Sequence, residues 1–293
     1  MTAPEDIAHH YDVSNDFYRL WLDERMIYSC AYFPNGHETI EQAQEAKLAH
    51  ICKKLGLKKG ETLLDVGCGW GALILYAVEK YGVIAHGITL SRNQYAYAQE
   101  QIARARASDR CRVSYLHYKD LPASEKYDKI VSVGMFEHVG KGKLPHYFQK
   151  MREGLSPHGI FLNHGITHNL KPDGPRPSAA SRFMDKYIFP GGALEDIGSI
   201  IQLLDAEGFE IHDVEQLRPH YAKTLAHWLK RFESHLPIIV PMVGEGLARA
   251  WRLYLAGSQI AFEMGGLSVY QILVSPRQIT GKSSVPLTRA DII

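Results

Sequence analysis

Two acidic residues interrupt stretches of this sequence that otherwise read as buried strands: Asp65 in LLDVGCGWG (63–71) and Glu137 in SVGMFEHVG (132–140). Taking a carboxylate out of water is costly unless a cation, a donor or a shared proton meets it there. Around Asp65 the spacing points to a ligand. Gly67, Gly69 and Gly71 fall at a strand-to-helix turn, where glycine permits a tight turn and a close approach to the backbone. The pattern is G-x-G-x-G rather than the G-x-G-x-x-G of dinucleotide folds, and an acid just ahead of it repels a pyrophosphate but attracts an ammonium or sulfonium. A cationic nucleoside such as S-adenosylmethionine suits these residues better; a plain strand-to-helix turn is the alternative. For Glu137 two readings stand. It caps the following helix, or it holds or deprotonates something at the strand end.

Other candidates have weaker signals. In doubly wound sheets an acid at the end of the second strand bonds ribose hydroxyls, but here that strand ends GITLS. Thr89, Leu90 and Ser91 take the place, with Gln94 one helical turn on. Asp120 in HYKDL is either an acceptor for an adenine amino group or a solvated loop acid. His164 and His168 invite a zinc reading, yet HGITH runs into loop signals rather than along a helix that would hold both rings on one face. His138 either orients Glu137 or packs in the core. Cys30 reads as a small buried hydrophobe and Tyr221 as helix packing.

These side chains need a frame that gathers strand ends. Helical spacing covers 14–24 and 39–56, the second with Leu48, Ile51, Cys52 and Leu55 on one face. From Glu61 strands alternate with helices: ETLLDVG, a helix Gly71–Tyr81, VIAHGITL, a helix Asn93–Arg106, CRVSYLH, YDKIVSVG, a helix near Lys143–Leu155, then GIFLNHGI. Such alternation implies right-handed crossovers and a mostly parallel sheet covered on both faces. After Ile166, THNLKPDGPRPSAAS is rich in breakers and reads as a loop over one end of the sheet. A helix near Leu194–Glu207, a strand Phe209–Val214, helical stretches 220–235 and 241–262, and a last strand Leu267–Val274 follow. The expected fold is α/β: a doubly wound, mostly parallel, seven-stranded sheet with an N-terminal helical segment and a helical cap. One domain spans 1–293, divided into an N-terminal helical lid (1–58), a cofactor-binding core (59–166), and the loop, cap and last strands (167–293).

Composition narrows the function classes. The 33 basic and 32 acidic side chains leave a formal charge of +1, too little to grip a nucleic-acid backbone. The start, MTAPEDIAHHYDVSND, lacks a basic and then apolar leader, and no run reaches the ~18 apolar residues of a membrane span. Cys30, Cys52, Cys68 and Cys111 show neither CxxC spacing nor disulfide density. A cytoplasmic protein without zinc or disulfides is expected, with peripheral contact at the inner membrane face left open.

Six strings then stand out: HYDVSNDFY (10–18), YSCAYF (28–33), DVGCGWG (65–71), GITLS (87–91), VGMFEHVG (133–140) and KYIFPGG (186–192). Together they resemble the cyclopropane fatty acid synthase family of S-adenosylmethionine-dependent methyltransferases, which includes the mycolic acid cyclopropane synthases. The match covers nearly all of the chain. The resemblance implies a class I, Rossmann-like methyltransferase fold and methyl transfer to the double bond of an unsaturated fatty acyl chain, on a lipid or a carrier. It implies a carbocation that collapses to a cyclopropane or to a methyl or methylene branch, with bicarbonate as base. Cofactor contacts would fall on Tyr28, Ser29, Gly67, Gly69, Thr89, Leu90 and Gln94. The bicarbonate pocket would comprise Cys30, Glu137, His164, Ile166 and Tyr221, the cysteine and isoleucine through backbone groups. A carbocation also needs a dry pocket with aromatic faces, for which Tyr32, Phe136, Tyr221 and Trp228 are candidates. Two other readings remain: a small-molecule C- or N-methyltransferase on the same frame, with a short polar-ended pocket, and a lipid- or adenosylmethionine-binding protein without turnover.

Overall fold

The computed structural model describes residues 14–169, 194–278 and 285–291. The start of HYDVSNDFY, most of THNLKPDGPRPSAAS and all of KYIFPGG lie outside them.

Among the described residues seven strands form one sheet: β1 (Thr62–Val66), β2 (Ile84–Thr89), β3 (Cys111–Tyr115), β4 (Tyr127–Val133), β5 (Leu155–His168), β6 (Phe209–Gln216) and β7 (Leu267–Pro276). Their order is β3-β2-β1-β4-β5-β7-β6. The first five run parallel, and β7 is antiparallel to both β5 and β6. The chain order reverses between β1 and β4, so a crevice opens beyond Val66 and Val133, where folds of this kind take their ligands. The expected doubly wound, mostly parallel sheet is present.

Local sequence sets the helix boundaries. In α1 (Asn15–Arg19) the Ser14 side chain accepts from Phe17 N. In α2 (Ile40–Leu55) Thr39 and Gln42 form a reciprocal capping box, and Gly56 ends the helix in the left-handed region at φ 59°. Leu48, Ile51, Cys52 and Leu55 are all buried, as their spacing demands. α3 (Ala72–Tyr81) and α4 (Arg92–Arg104) follow β1 and β2, α5 (Leu144–Gly154) precedes β5, and α6 (Ile197–Ala206) precedes β6.

The cap departs from expectation in one respect. Instead of a single helix over 241–262, α7 (Arg218–Ser234) leads into α8 (Leu236–Val243) and then α9 (Glu245–Glu263). Gly244, at φ 83°, separates the last two. Proline in the first turn of α8 fits a helix start, because that N–H has no intrahelical partner in any case.

Between cap and sheet lies a cluster dominated by aromatic rings, among them Phe17, Tyr18, Trp21, Tyr221, Trp228, Phe232 and Trp251. Trp21 is fully buried and packs edge-on against Trp228, ring centres 5.8 Å apart. The underside of the expected N-terminal lid is therefore apolar and inserted in this cluster. At the far edge α2 is pinned to β6 by buried charge. Lys54 Nζ lies 2.8 Å from Asp213 and 2.6 Å from Glu215, and His50 Nε2 lies 2.6 Å from the same Glu215 oxygen.

Candidate active site

Beyond the ends of β1, β2 and β4 the crevice widens into a cavity of about 400 Å³, within the range of small-molecule sites. Tyr28, Ser29, Asp65, Gly67, Gly69, Thr89, Leu90, Ser91, Gln94 and Asp120 all line it. Gly71 is not among the lining residues. At φ 89° it begins α3, and a Cβ there would sit 3.1 Å from Ala98 Cβ, so its bareness serves helix packing. Gly67 (φ 84°) has Met135 2.9 Å from where its Cβ would be, whereas a Cβ on Gly69 (φ 55°) would meet only open space.

The polar groups of the cavity are fixed by their neighbours. Ser91 Oγ accepts from Gln94 N at 3.2 Å and so caps α4, while the Thr89 hydroxyl donates to Gln94 Oε1 at 2.8 Å. Thus a hydroxyl and an amide, with no carboxylate, close the end of β2. Asp120 is exposed at the rim. Asp65 is buried, and its Oδ1 has no hydrogen-bond partner. Burial pushes its pKa up to about 7, with Lys47 pulling the other way. Lys47 is a cavity residue that sequence reasoning missed. It is buried, its ammonium donates to Ser29 Oγ at 3.1 Å, and burial lowers its pKa to about 8. The signal for it was a lysine on the apolar stripe of α2, beside Leu48 and Ile51.

The five residues assigned to a bicarbonate pocket are not among those that line this cavity. Glu137 stands in a 3-10 turn (Phe136–His138), whereas α5 begins at Leu144 after Lys143, so Glu137 caps no helix. The capping alternative is excluded. Glu137 Oε1 accepts from Ile166 N at 2.7 Å, and Oε2 is buried without a partner among the described residues. Burial raises the pKa to about 7, against the lowering effect of the Ile166 N–H. Gly165 makes this possible, because a Cβ there would fall 1.7 Å from Phe136 Cε1. The ring thus lies on bare backbone and brings the neighbouring Glu137 to β5. Sequence reasoning overlooked Gly165.

His164, two residues earlier on β5, is buried. Its Nδ1 is 3.2 Å from Gln271 Nε2 on β7, and burial, followed by Lys47 and Lys54, lowers its pKa to about 3. It is a neutral imidazole held by a residue that only the sheet pairing reveals. His168 lies on the same strand, ~13 Å along at strand spacing, and among the described residues no group of His, Cys, Asp or Glu converges as a metal site. Cys30 and Tyr221 meet at one carbonyl: Leu217 O accepts Tyr221 N at 3.1 Å and Cys30 Sγ at 3.8 Å. Burial raises the Cys30 pKa far above the ordinary thiol value, so it is no thiolate. Ile166 packs against the aromatic cluster that contains Cys30 and Tyr221.

Of the proposed aromatic faces, Trp228 and Tyr221 belong to that cluster, centres 6.1 Å apart, and Tyr28 lies 5.3 Å from Trp228. The other two have neighbours elsewhere: Tyr32 stacks with His50 (4.3 Å) and His220 (4.8 Å), and Phe136 lies against Gly165. His138 lines the cavity wall, where burial lowers its pKa to about 4.

Known proteins resemble this chain in sequence and in fold. The model of the mycolic acid cyclopropane synthetase family matches residues 1–272. A probable fatty acid methyltransferase of Pseudomonas putida is 44% identical over 291 residues, 99% of this chain and 74% of its own. Cyclopropane mycolic acid synthase 1 of Mycobacterium tuberculosis is 38% identical over 275 residues, 91% of this chain and 95% of its own. A solved mycolic acid cyclopropane synthase complexed with SAH and CTAB superposes with a TM-score of 0.88 at 36% identity, covering 92% of this chain and 97% of that one. With its sheet order, glycine turn and family match in agreement, the chain belongs to the mycolic acid cyclopropane synthetase family.

Proposed function

We propose that this protein is an S-adenosylmethionine-dependent methyltransferase acting on the double bond of an unsaturated fatty acyl chain, with bicarbonate as the base. The product is a cyclopropane or a methyl or methylene branch. The observation that carries the reading is Glu137: a carboxylate with one oxygen anchored to the backbone of Ile166, which packs on the aromatic cluster, and the other unpartnered, next in sequence to His138 of the cavity wall. The residues fit both small molecules. Asp65, with its orphaned Oδ1, and the bare Gly67 and Gly69 suit a cation-bearing nucleoside. Glu137 Oε2 suits an ion that carries a proton.

When bound, the cofactor supplies an electrophilic methyl group and bicarbonate a base. The chain's own residues do the rest. Tyr221 and Trp228 exclude water and present ring faces to positive charge. Glu137 accepts a proton-bearing oxygen through Oε2 while Ile166 N keeps Oε1 occupied. The neutral His164 ring, its Nδ1 held by the Gln271 amide, serves an anion as a donor through Nε2 in the tautomer that carries its proton there. Residues 14–58 act as a cover whose inner face is the Phe17–Trp21 side of the cluster.

Cells expressing the protein and fed methyl-labelled methionine test the reading by mass spectrometry of their lipids. Labelled unsaturated chains heavier by one CH2 unit are expected. Label confined to amines or other small molecules would replace the acyl acceptor, and binding without any labelled product would replace catalysis.

A further inference from the structure

The inner end of the cavity holds opposite charges that leave each other unpaired. Asp65 Oδ1 has no hydrogen-bond partner. Lys47, 3% exposed, reaches in from α2, and its ammonium donates to the Ser29 hydroxyl at 3.1 Å. Among the described residues Lys47 closes no ion pair, and one hydroxyl uses one of its three N–H donors. Buried Asp23, and after it Asp65, act on this ammonium from beyond ion-pair distance, and a buried ammonium that no carboxylate meets directly is costly. Retaining one at a cavity wall makes sense if the occupant brings the anion.

The other cations of the cavity do not serve. Lys119 is exposed and Lys143 half-buried, both at the mouth with Asp120. Ser29 is well placed to relay. Gln44 Nε2 fixes its carbonyl at 3.0 Å, Lys47 fixes its hydroxyl oxygen, and the hydroxyl proton remains free to donate into the cavity it lines.

We propose that Lys47, together with the Ser29 hydroxyl it holds, is the carboxylate-recognising end of the cavity and binds the α-carboxylate of the cofactor's amino-acid portion, opposite Asp65. The proposal rests on the adenosylmethionine reading and adds which group selects the amino-acid moiety. Lys47 thereby distinguishes an adenosyl amino acid from a bare thioadenosine, and α2 contributes to recognition as well as to packing.

Calorimetry tests this on the whole protein with S-adenosylhomocysteine, its carboxyl methyl ester and 5′-methylthioadenosine. In the wild type the ester should bind about tenfold or more weakly than the free acid, the scale of a lost hydrogen bond to a charged group. Lys47→Met should weaken S-adenosylhomocysteine by about as much, leave methylthioadenosine within about twofold, and abolish the difference between acid and ester. Equal weakening of all three ligands, an unchanged affinity for S-adenosylhomocysteine, or an ester penalty that survives in the variant would overturn the proposal. Should Lys47→Met fail to fold, the wild-type comparison of acid with ester decides, since equal affinities overturn it. A wild type that binds none of the three sinks the cofactor reading itself, whereas binding indifferent to the carboxylate sinks only this inference.

Discussion

Glu137 and Ile166 are joined across the ends of neighbouring strands: Oε1 of the carboxylate accepts the Ile166 N–H at 2.7 Å, although the two stand 29 positions apart in the chain. The bond consumes one oxygen and leaves the other for chemistry. Glu137→Gln keeps an oxygen for Ile166 N but replaces the free oxygen with an N–H2 group. Binding of S-adenosylhomocysteine should survive, and turnover should fall by roughly 10²-fold or more. Rates in carbonate-depleted buffer with bicarbonate restored provide the check: rescue in the wild type, blunted in the variant. Indifference to both the ion and the substitution would remove Glu137 from the mechanism.

The same carboxylate sets a pH dependence. Burial moves its pKa up to about 7, so protons return to it as the pH falls through neutrality, and an acceptor for bicarbonate becomes a donor. The acid limb of kcat/KM should have a midpoint near 7 and be missing from the residual activity of Glu137→Gln. Stability has the opposite sense. A folded pKa above the ordinary carboxylate value means that this group favours the fold most at low pH and less as the pH rises to about 7. Asp65 adds a slope of the same sign. The measurement is therefore the difference in urea stability between wild type and Glu137→Gln across pH 4 to 8, and a difference that does not change with pH would refute the assignment.

Gly69→Val probes the glycine turn. The position has φ 55°, and its Cβ would project into open cavity space, so the substitution both strains the turn and fills ligand volume. Affinity for S-adenosylhomocysteine should drop about tenfold or more. An unchanged affinity in a variant shown by circular dichroism to be folded would dissociate this loop from the cofactor.

Gly165→Ala places one methyl group 1.7 Å from Phe136 Cε1. The ring must leave and carry the 136–138 turn with it, which costs about 1–3 kcal/mol of stability and displaces Glu137. Turnover should fall further than the denaturation midpoint suggests, and Phe136→Leu in the same chain should recover stability without recovering rate. Activity close to wild type in the single variant would show that Glu137 needs no such support.

Trp21→Ala removes the centre of the N-terminal segment's inner face. With Trp228, Phe232 and Trp251 against it, the loss should be about 3–5 kcal/mol, read as a large fall in Tm. A stable variant with selectively lost activity on long acyl chains would instead favour a cover that moves as a unit.

The alternation of apolar runs and helical stretches made the parallel part of the sheet legible, since each strand's burial is written in its own residues. The break at Gly244 was not: helical spacing over 241–262 runs through it, and the end of α8 is set by the backbone conformation of that one glycine. The glycine turn showed where a ligand goes, but Gly71 differs from Gly69 only in what lies opposite it, Ala98 against open space. Glu137 was conspicuous as a buried acid, yet its partner, its support and the tautomer of His164 depend on Ile166, Gly165 and Gln271. Those neighbours come from strand pairing, which no local pattern encodes.

One consequence concerns the order of synthesis. Among the described residues β7 is the last strand in chain order, yet it lies inside the sheet, with β5 on one side and β6 on the other. As the chain leaves the ribosome, β6 has no strand to join until Leu267–Pro276 follow, and β5 waits with an open edge. A nascent chain stalled ahead of β7 would already have the glycine turn and the walls of the cofactor cavity but lack Gln271 beside His164. Competence for binding would thus precede competence for chemistry during translation, and the unsealed edge of β5 would be the point at which a chaperone protects the half-made protein.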